Sequence, residues 1–230
     1  MNTALILSGG TGTRLGTDIP KQYLEVAGRP IISYSFEQLA IHPDVDMIWI
    51  VADPAWHEFI LESVERYDIH GKFKGFAEPG KNRQLSIFNG LEGILEYASD
   101  TDSVFIHDAA RPLLSAKMIT ECFAGMEGHE GVLPVLPMKD TVYLSKDGKT
   151  VTALLNRSEI FAGQAPEVFK FGRYYVANKM LLPELILGIN GSTEPAIMAG
   201  MDIAMIPGDE RNFKVTTRAD LERFREIVEG

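Results

Sequence analysis

Cysteine is nearly absent: Cys122 stands alone in 230 residues. One thiol excludes an intrachain disulfide and any zinc site built from several cysteines. Its apolar neighbours in a helical segment predict a buried, inert thiol. Long apolar runs are missing too. None approaches the roughly 20 residues that a membrane span needs, and Met1–Gly9 hold neither a basic segment nor room for a secretory signal core. A cytoplasmic chain with no membrane partner is expected. Basic residues are outnumbered, 22 Lys and Arg against 32 Asp and Glu, for a formal net charge of −10. That balance argues against non-specific binding to nucleic acid or anionic lipid. Internal repeats and low-complexity segments are also missing.

What remains is an ordinary globular composition, 45% hydrophobic and 23% charged. The length suits one large domain, read here as residues 1–230, able to bury roughly 70–75% of its extended surface. Thr3–Leu7, Met47–Val51, Val104–Ile106 and Val132–Val135 are short apolar runs without alternation. Strands apolar on both faces predict a buried parallel sheet covered by helices. Helical periodicity lies between them: from Pro30 with Ile32, Phe36 and Leu39; after Asn82 with Leu85, Phe88, Leu91 and Leu95; after Ser115 with Met118 and Cys122; and from Thr217 with Leu221, Phe224 and Val228. Thr217 and Asp220 form a variant capping box at the start of the last helix. Alternating strands and helices predict an α/β fold with a mostly parallel sheet. Thr141–Leu155 departs from that rhythm, with Asp147-Gly148 between two β-rich runs, and predicts a hairpin. A hairpin projecting alone is marginal in water, so an arm at about 139–158 would need a partner.

The chemistry concentrates after the first strand. Ser8-Gly9-Gly10-Thr11-Gly12-Thr13-Arg14-Leu15-Gly16 offers glycines whose backbone amides can approach an anion closely. A dinucleotide fingerprint is one reading of that spacing. It should open a helix directly and meet an acid about 20 positions on, whereas Pro20 interrupts and the next acidic strand end is Asp53. A Walker Gly-Lys-Ser/Thr is absent. Arg14 and Lys21 flank the loop instead, and two cations beside a cluster of amides suit a triphosphate whose charge grows in the transition state. Asp108, just past the strand at Val104–Ile106, sits where parallel sheets bind ligands. Its type suits Mg²⁺, which takes oxygen ligands and phosphate; a helix cap or a salt bridge to Arg111 is the other reading.

Ser8–Gly16 followed by Pro20-Lys21-Gln22 resembles the signature of nucleotidyltransferases, and in particular the 2-C-methyl-D-erythritol 4-phosphate cytidylyltransferases and their sister family, the ribitol-5-phosphate cytidylyltransferases. The likeness continues through Gly80-Lys81-Asn82-Arg83-Gln84-Leu85-Ser86, His107-Asp108-Ala109-Ala110-Arg111-Pro112, Lys139-Asp140-Thr141 with Arg157, and Gly208–Thr216. The resemblance implies a Rossmann-like, GT-A-like three-layer nucleotidyltransferase fold with a projecting β-hairpin dimerisation arm. It implies attack by a polyol phosphate on the α-phosphorus of CTP, with pyrophosphate released and Mg²⁺ held on Asp108.

The same likeness implies the roles. Arg14, Lys21, Asp108 and Lys214 would be catalytic. Ser8, Gly9, Gly10, Thr11, Gly12, Thr13, Gly80, Asn82, Arg83 and Ser86 would hold the nucleotide. Arg111, Thr141, Arg157 and Asp209 would hold the polyol phosphate, with Arg157 reaching a neighbouring subunit in an arm-exchanged homodimer. A phosphate nucleophile is already ionised near neutral pH, so His107 reads as a packed histidine rather than a base.

Two segments depart from the family pattern. Its common Q-T-P-Q is here Gln164-Ala165-Pro166-Glu167, and T-D-[DE]-A is here Thr193-Glu194-Pro195-Ala196. Both bear on the acceptor side. Methylerythritol phosphate is placed first and ribitol phosphate second as acceptor. A dinucleotide-dependent oxidoreductase and a non-catalytic relative are the remoter alternatives. Six cations (Arg14, Lys21, Arg83, Arg111, Arg157, Lys214) fall inside these motifs. Gathered at one mouth, they would make a positive site on an acidic body.

Overall fold

The structure is a computed structural model that describes residues 1–10, 16 and 19–230. Along the chain it builds β1 (Asn2–Leu7), β2 (Glu25–Val26), β3 (Arg29–Pro30), α1 (Ile31–Ile41), β4 (Met47–Val51), α2 (His57–Tyr67), β5 (Phe73–Ala77), α3 (Arg83–Ile94), β6 (Ser103–Asp108), α4 (Ala116–Ala124) and β7 (Gly131–Pro137). It continues with β8 (Tyr143–Leu144), β9 (Ala153–Leu154), β10 (Phe161–Gly163), β11 (Glu167–Lys170), α5 (Phe171–Lys179), α6 (Glu194–Met198), β12 (Ile203–Pro207) and α7 (Arg218–Glu229).

The main sheet runs β10-β7-β11-β6-β1-β4-β5, with β12 also paired to β7. The β1–β4, β1–β6, β4–β5 and β7–β12 pairings are parallel, while β10 and β11 run antiparallel to their neighbours. This is the mixed α/β sheet, mostly parallel, that the apolar runs predict. Both faces are covered. Ala4 and Ile6 of β1 face a core with Ile32, Phe36 and Leu39 of α1, Ile60 of α2, and Met118, Ile119 and Cys122 of α4. Leu5 faces the other core, with Ile87, Leu91 and Ile94 of α3 and Phe171 and Tyr174 of α5. Successive strand residues point to opposite faces, so a strand buried on both sides is apolar throughout, as Met47–Val51 is.

The helix starts follow their side chains. Asn82 accepts from Leu85 N at 2.8 Å and caps α3. Ser115 does the same for α4 through Met118 N. Thr217 and Asp220 form the reciprocal capping box of α7. The predicted hairpin forms outside the main sheet, where β8 and β9 pair Tyr143 with Leu154 and Leu144 with Ala153. Tyr143, Leu144, Val151 and Leu154 are all exposed on it.

Candidate active site

At the carboxyl edge of β1 and β6 the sheet opens into a cleft of about 470 Å³. Gly9, Gly10, Lys21, Gln22, Gly80, Lys81, Asn82, Arg83, Ser86, Asp108, Ala110, Lys214 and Thr216 line it. Asp108 is the one acidic residue among the described residues there.

Its first wall is Gly9 and Gly10, held by the segment Lys21–Tyr23. Gln22 Nε2 donates to the carbonyls of Ser8 at 2.6 Å and Gly10 at 2.8 Å. Ser8 Oγ donates to Tyr23 Oη at 2.9 Å, and Tyr23 Oη donates to the Ser8 carbonyl at 3.1 Å. Ser8 is buried, and its hydroxyl and carbonyl are engaged by this clasp. It bears on the cleft by placing Gly9 and Gly10. Gln22 and Tyr23 are structural members of the site that reading the loop alone misses. Lys21, in the 3-10 turn Lys21–Tyr23, is buried and reaches the cleft wall. Thr11, Gly12, Thr13 and Arg14 lie outside the described residues.

The second wall is the turn into α3. Asn82 caps the helix and donates through Nδ2 to the Ile186 carbonyl at 2.9 Å. Ser86 Oγ donates to the Asn82 carbonyl at 2.9 Å and accepts from Gly80 N at 3.0 Å. Hydrogen bonding thus fixes the line of backbone from Gly80 to Arg83. Lys81 and Thr216 line the cleft in addition to the residues the motifs nominate.

The floor is Asp108, surrounded by cations. Arg83 donates to Oδ1 through Nη2 at 3.1 Å and Nε at 3.3 Å. Lys214 donates to Oδ2 at 3.0 Å, and Arg111 Nε lies 3.6 Å from the same oxygen. Burial by itself would push the Asp108 carboxyl up. Arg83, Lys214 and Arg111 outweigh it and hold the group well below the usual carboxylate range. Burial also disfavours the Arg83 guanidinium, but Asp108 and then Glu167 bind its proton more firmly than usual. Arg111 stands behind the floor, donating through Nη1 to the Asn212 carbonyl at 2.7 Å.

His107 is fully buried and its Nε2 meets the Arg111 carbonyl at 3.0 Å. Burial pushes its imidazole down to about 4, so it is neutral at pH 7, the packed histidine the sequence predicts.

The remaining nominated residues are elsewhere in the chain. Arg157 lines a separate groove with Pro137, Met138, Lys139, Asn156 and Ser158, and donates to the Lys139 carbonyl at 2.6 Å. Thr141 is exposed at the root of the hairpin. Asp209 caps its own turn through Arg211 N at 2.8 Å, and its backbone is gripped by the Gln164 amide. Neither Thr141, Arg157 nor Asp209 lines the cleft around Asp108.

A family model described as IspD, 2-C-methyl-D-erythritol 4-phosphate cytidylyltransferase, matches residues 3–229. The chain belongs to the IspD family. It is 32% identical over 219 residues to the 2-C-methyl-D-erythritol 4-phosphate cytidylyltransferase of Geotalea uraniireducens, covering 95% of this chain and 93% of that protein. It is 30% identical to the bifunctional enzyme IspD/IspF of Paramagnetospirillum magneticum, using 98% of this chain and spanning 56% of that protein. Among solved structures, the 4-diphosphocytidyl-2C-methyl-D-erythritol synthase of Anaerococcus prevotii superposes with a TM-score of 0.83 at 23% identity, over 100% of this chain and 96% of that one. That likeness shows the fold.

The two departures from the IspD family pattern sit in defined surroundings. Ala165 presents its carbonyl to Asn212 Nδ2 at 2.7 Å. Glu194 accepts from Asn190 N at 2.8 Å and leads into α6. Glu167 is buried, accepts from Ser192 Oγ, and stands 3.6 Å from Arg83. Sequence reading passes over Glu167 because its surroundings are made by residues 25 and 84 positions away.

Proposed function

We propose that this IspD family chain transfers the cytidylyl group of CTP to 2-C-methyl-D-erythritol 4-phosphate, making it a nucleotidyltransferase. An oxygen of the acceptor phosphomonoester attacks the α-phosphorus. The bond from that phosphorus to the bridging oxygen breaks, and pyrophosphate leaves. The observation that carries the reading is the convergence of Arg83 and Lys214 on Asp108 opposite the Gly9-Gly10 wall. The family match names the methylerythritol branch, so the ribitol acceptor and the dinucleotide oxidoreductase are not favoured.

In this reading the chain works by positioning and charge. The backbone at Gly9, Gly10 and Gly80–Arg83 seats the nucleotide. Lys21 and Lys214 face the charge that grows on the α-phosphate, and the family likeness assigns Arg14 the same task. Arg111 supplies positive potential from behind. Among the described residues no three His, Cys, Asp or Glu side chains cluster as a metal cage. A single cleft carboxylate fits Mg²⁺, which is bound through one or two carboxylates together with substrate phosphates. Asp108 would hold it, and the ion would neutralise phosphate charge there.

Thr141, Arg157 and the exposed apolar face of the hairpin support an arm-exchanged homodimer of single-domain subunits, in which the arm completes the polyol-phosphate site of the neighbour. Asp209 supports that site indirectly by fixing the turn that leads to Lys214. No helix among the described residues is long and apolar enough to cross a membrane, and a cytoplasmic location is part of the same reading.

The test is pyrophosphate release from purified protein with each NTP and a panel of polyol phosphates plus Mg²⁺. CTP with methylerythritol phosphate is expected to react. Turnover with ribitol phosphate alone would move the acceptor, and no turnover of CTP with any acceptor would overturn the reading.

A further inference from the structure

Behind the cleft floor lies a second carboxylate that the reaction scheme leaves unused. Glu167 opens β11 and pairs with Ile106 of β6, two residues before Asp108. Side chains alternate along strands, so Glu167, Ile106 and Asp108 share one face, the face that α3 covers. Arg83, the first residue of α3, therefore stands between two acids. Its Nη2 is 3.1 Å from Asp108 Oδ1 and 3.6 Å from Glu167 Oε2.

The rest of Glu167 is tied down. Ser192 Oγ donates to Oε1, Tyr174 Oη donates to the Ser192 carbonyl at 2.7 Å, and Gln84 Nε2 donates to Tyr174 Oη at 3.0 Å. Among the described residues, Oε2 is buried without a hydrogen-bond partner. A buried acceptor is normally satisfied, and the guanidinium is the group placed to satisfy it. Asp108 already has three cations on two oxygens, so a ligand that engages Asp108 competes with Arg83 for one of them.

We propose that Glu167 is a positioning residue, the second seat of Arg83, which keeps the guanidinium against the cleft floor when Asp108 turns to a ligand. This rests on the cytidylyltransferase reading for the ligand but not for the seat. In the Q-T-P-Q pattern a glutamine stands at this position, and an amide could still accept from Arg83 while meeting Ser192.

The experiment compares Glu167→Ala, Glu167→Met and Glu167→Gln, each alone and with Arg83→Ala. CTP affinity is titrated directly, and the Arg83 Nε–H resonance is followed in nucleotide-free protein. Ala and Met are expected to weaken CTP binding by roughly tenfold alone and by less than about twofold beside Arg83→Ala, as coupled neighbours do. Gln is expected to rescue to within about threefold of the wild type. The Arg83 resonance should shift or broaden in the Met and Ala proteins and persist with Gln. Met, close to Glu in length, keeps the test open if Ala does not fold. An unchanged resonance, or the same CTP penalty with and without Arg83, overturns the seat. A wild type that fails to bind CTP overturns the functional reading, and the resonance alone then decides the seat.

Discussion

Lys214 Nζ lies 3.0 Å from Asp108 Oδ2, joining groups 106 residues apart in the chain. With Arg83 on the other oxygen and Arg111 behind, the carboxylate is the counter-charge of three cations. Asp108→Asn keeps the shape and removes that counter-charge. Pyrophosphate release should fall by roughly 10²–10³, the scale of one lost transition-state interaction. CTP binding in EDTA should not weaken, because the cleft becomes more positive. Calorimetric titration checks this, and a clear loss of metal-free affinity would show that Asp108 holds the nucleotide itself.

Gln22 is the staple of the glycine loop, with its amide donating to two carbonyls. Gln22→Ala leaves the Gly10 carbonyl without that donor, while Ser8 keeps its bond from Tyr23. The loss should cost about 0.5–1.5 kcal/mol of stability, the net range for a hydrogen bond, since water reaches the exposed Gly10 carbonyl, and should raise KM for CTP more than it lowers kcat. Urea unfolding with steady-state kinetics measures both. An unchanged midpoint with unchanged KM would mean that the loop holds itself.

The sheet was legible where strands are buried on both faces, because Thr3–Leu7, Met47–Val51 and Val104–Ile106 can only be apolar there. The edges were not. Strand β5 carries Lys74 and Gly75, which break its apolar run, and β12 is apolar from Ile203 to Pro207 yet half exposed, so apolarity there does not report burial on both faces. Helix α2 buries only Ile60 and Ser63 fully, while Phe59, Val64 and Tyr67 pack half-buried against the core. In the site, contiguous motifs pointed to Lys21, Arg83, Asp108 and Lys214, which the fold brings to one cleft. Glu167 was hidden, because its partners come from strand register and from residues 25 and 84 positions away; Gln22 and Thr216 stand inside the motifs, but which way their side chains turn is set only by the folded loops.

Gly9 and Gly10 are neighbours with different constraints. A Cβ on Gly9 would sit 2.6 Å from Pro79 Cβ and 2.8 Å from its Cγ, against a ring that cannot rotate away. Among the described residues, a Cβ on Gly10 meets nothing within 4 Å. Gly9→Ala should therefore lose about 1–3 kcal/mol, as overpacked positions do. Gly10→Ala should stay within about 0.5 kcal/mol in stability, though it narrows the cleft. Thermal unfolding of the two proteins side by side decides the point, and equal stability would contradict the close approach to Pro79.

Cys122 is fully enclosed between α4 and the sheet, and burial pushes its thiol up to about 12. The folded state holds it protonated, so the stability this gives is whole below the unfolded thiol's value of about 8.5. It declines as the pH rises from there toward 12. At pH 8 an aromatic disulfide reagent should find no reacting thiol in the native protein and one thiol after denaturation. Fast native labelling would mean that α4 opens readily.

The arm sets the sharpest test of assembly. Within one chain Arg157 lines a groove that, among the described residues, shares none with the cleft around Asp108, so a polyol-phosphate role for Arg157 at that cleft calls for a second copy. Arg157→Ala has an intact body and a defective arm; Lys21→Ala has the reverse. Each protein alone should be nearly inactive. Exchange of subunits in an equal mixture makes half the dimers mixed, and each mixed dimer has one site with both parts sound. Activity should then recover to about a quarter of the wild-type value per subunit, as two-fold symmetric sharing requires. The check is pyrophosphate release before and after refolding the two proteins together. No recovery from dimers shown to be mixed would place Arg157 outside the neighbour's site and leave the exposed hairpin with another task.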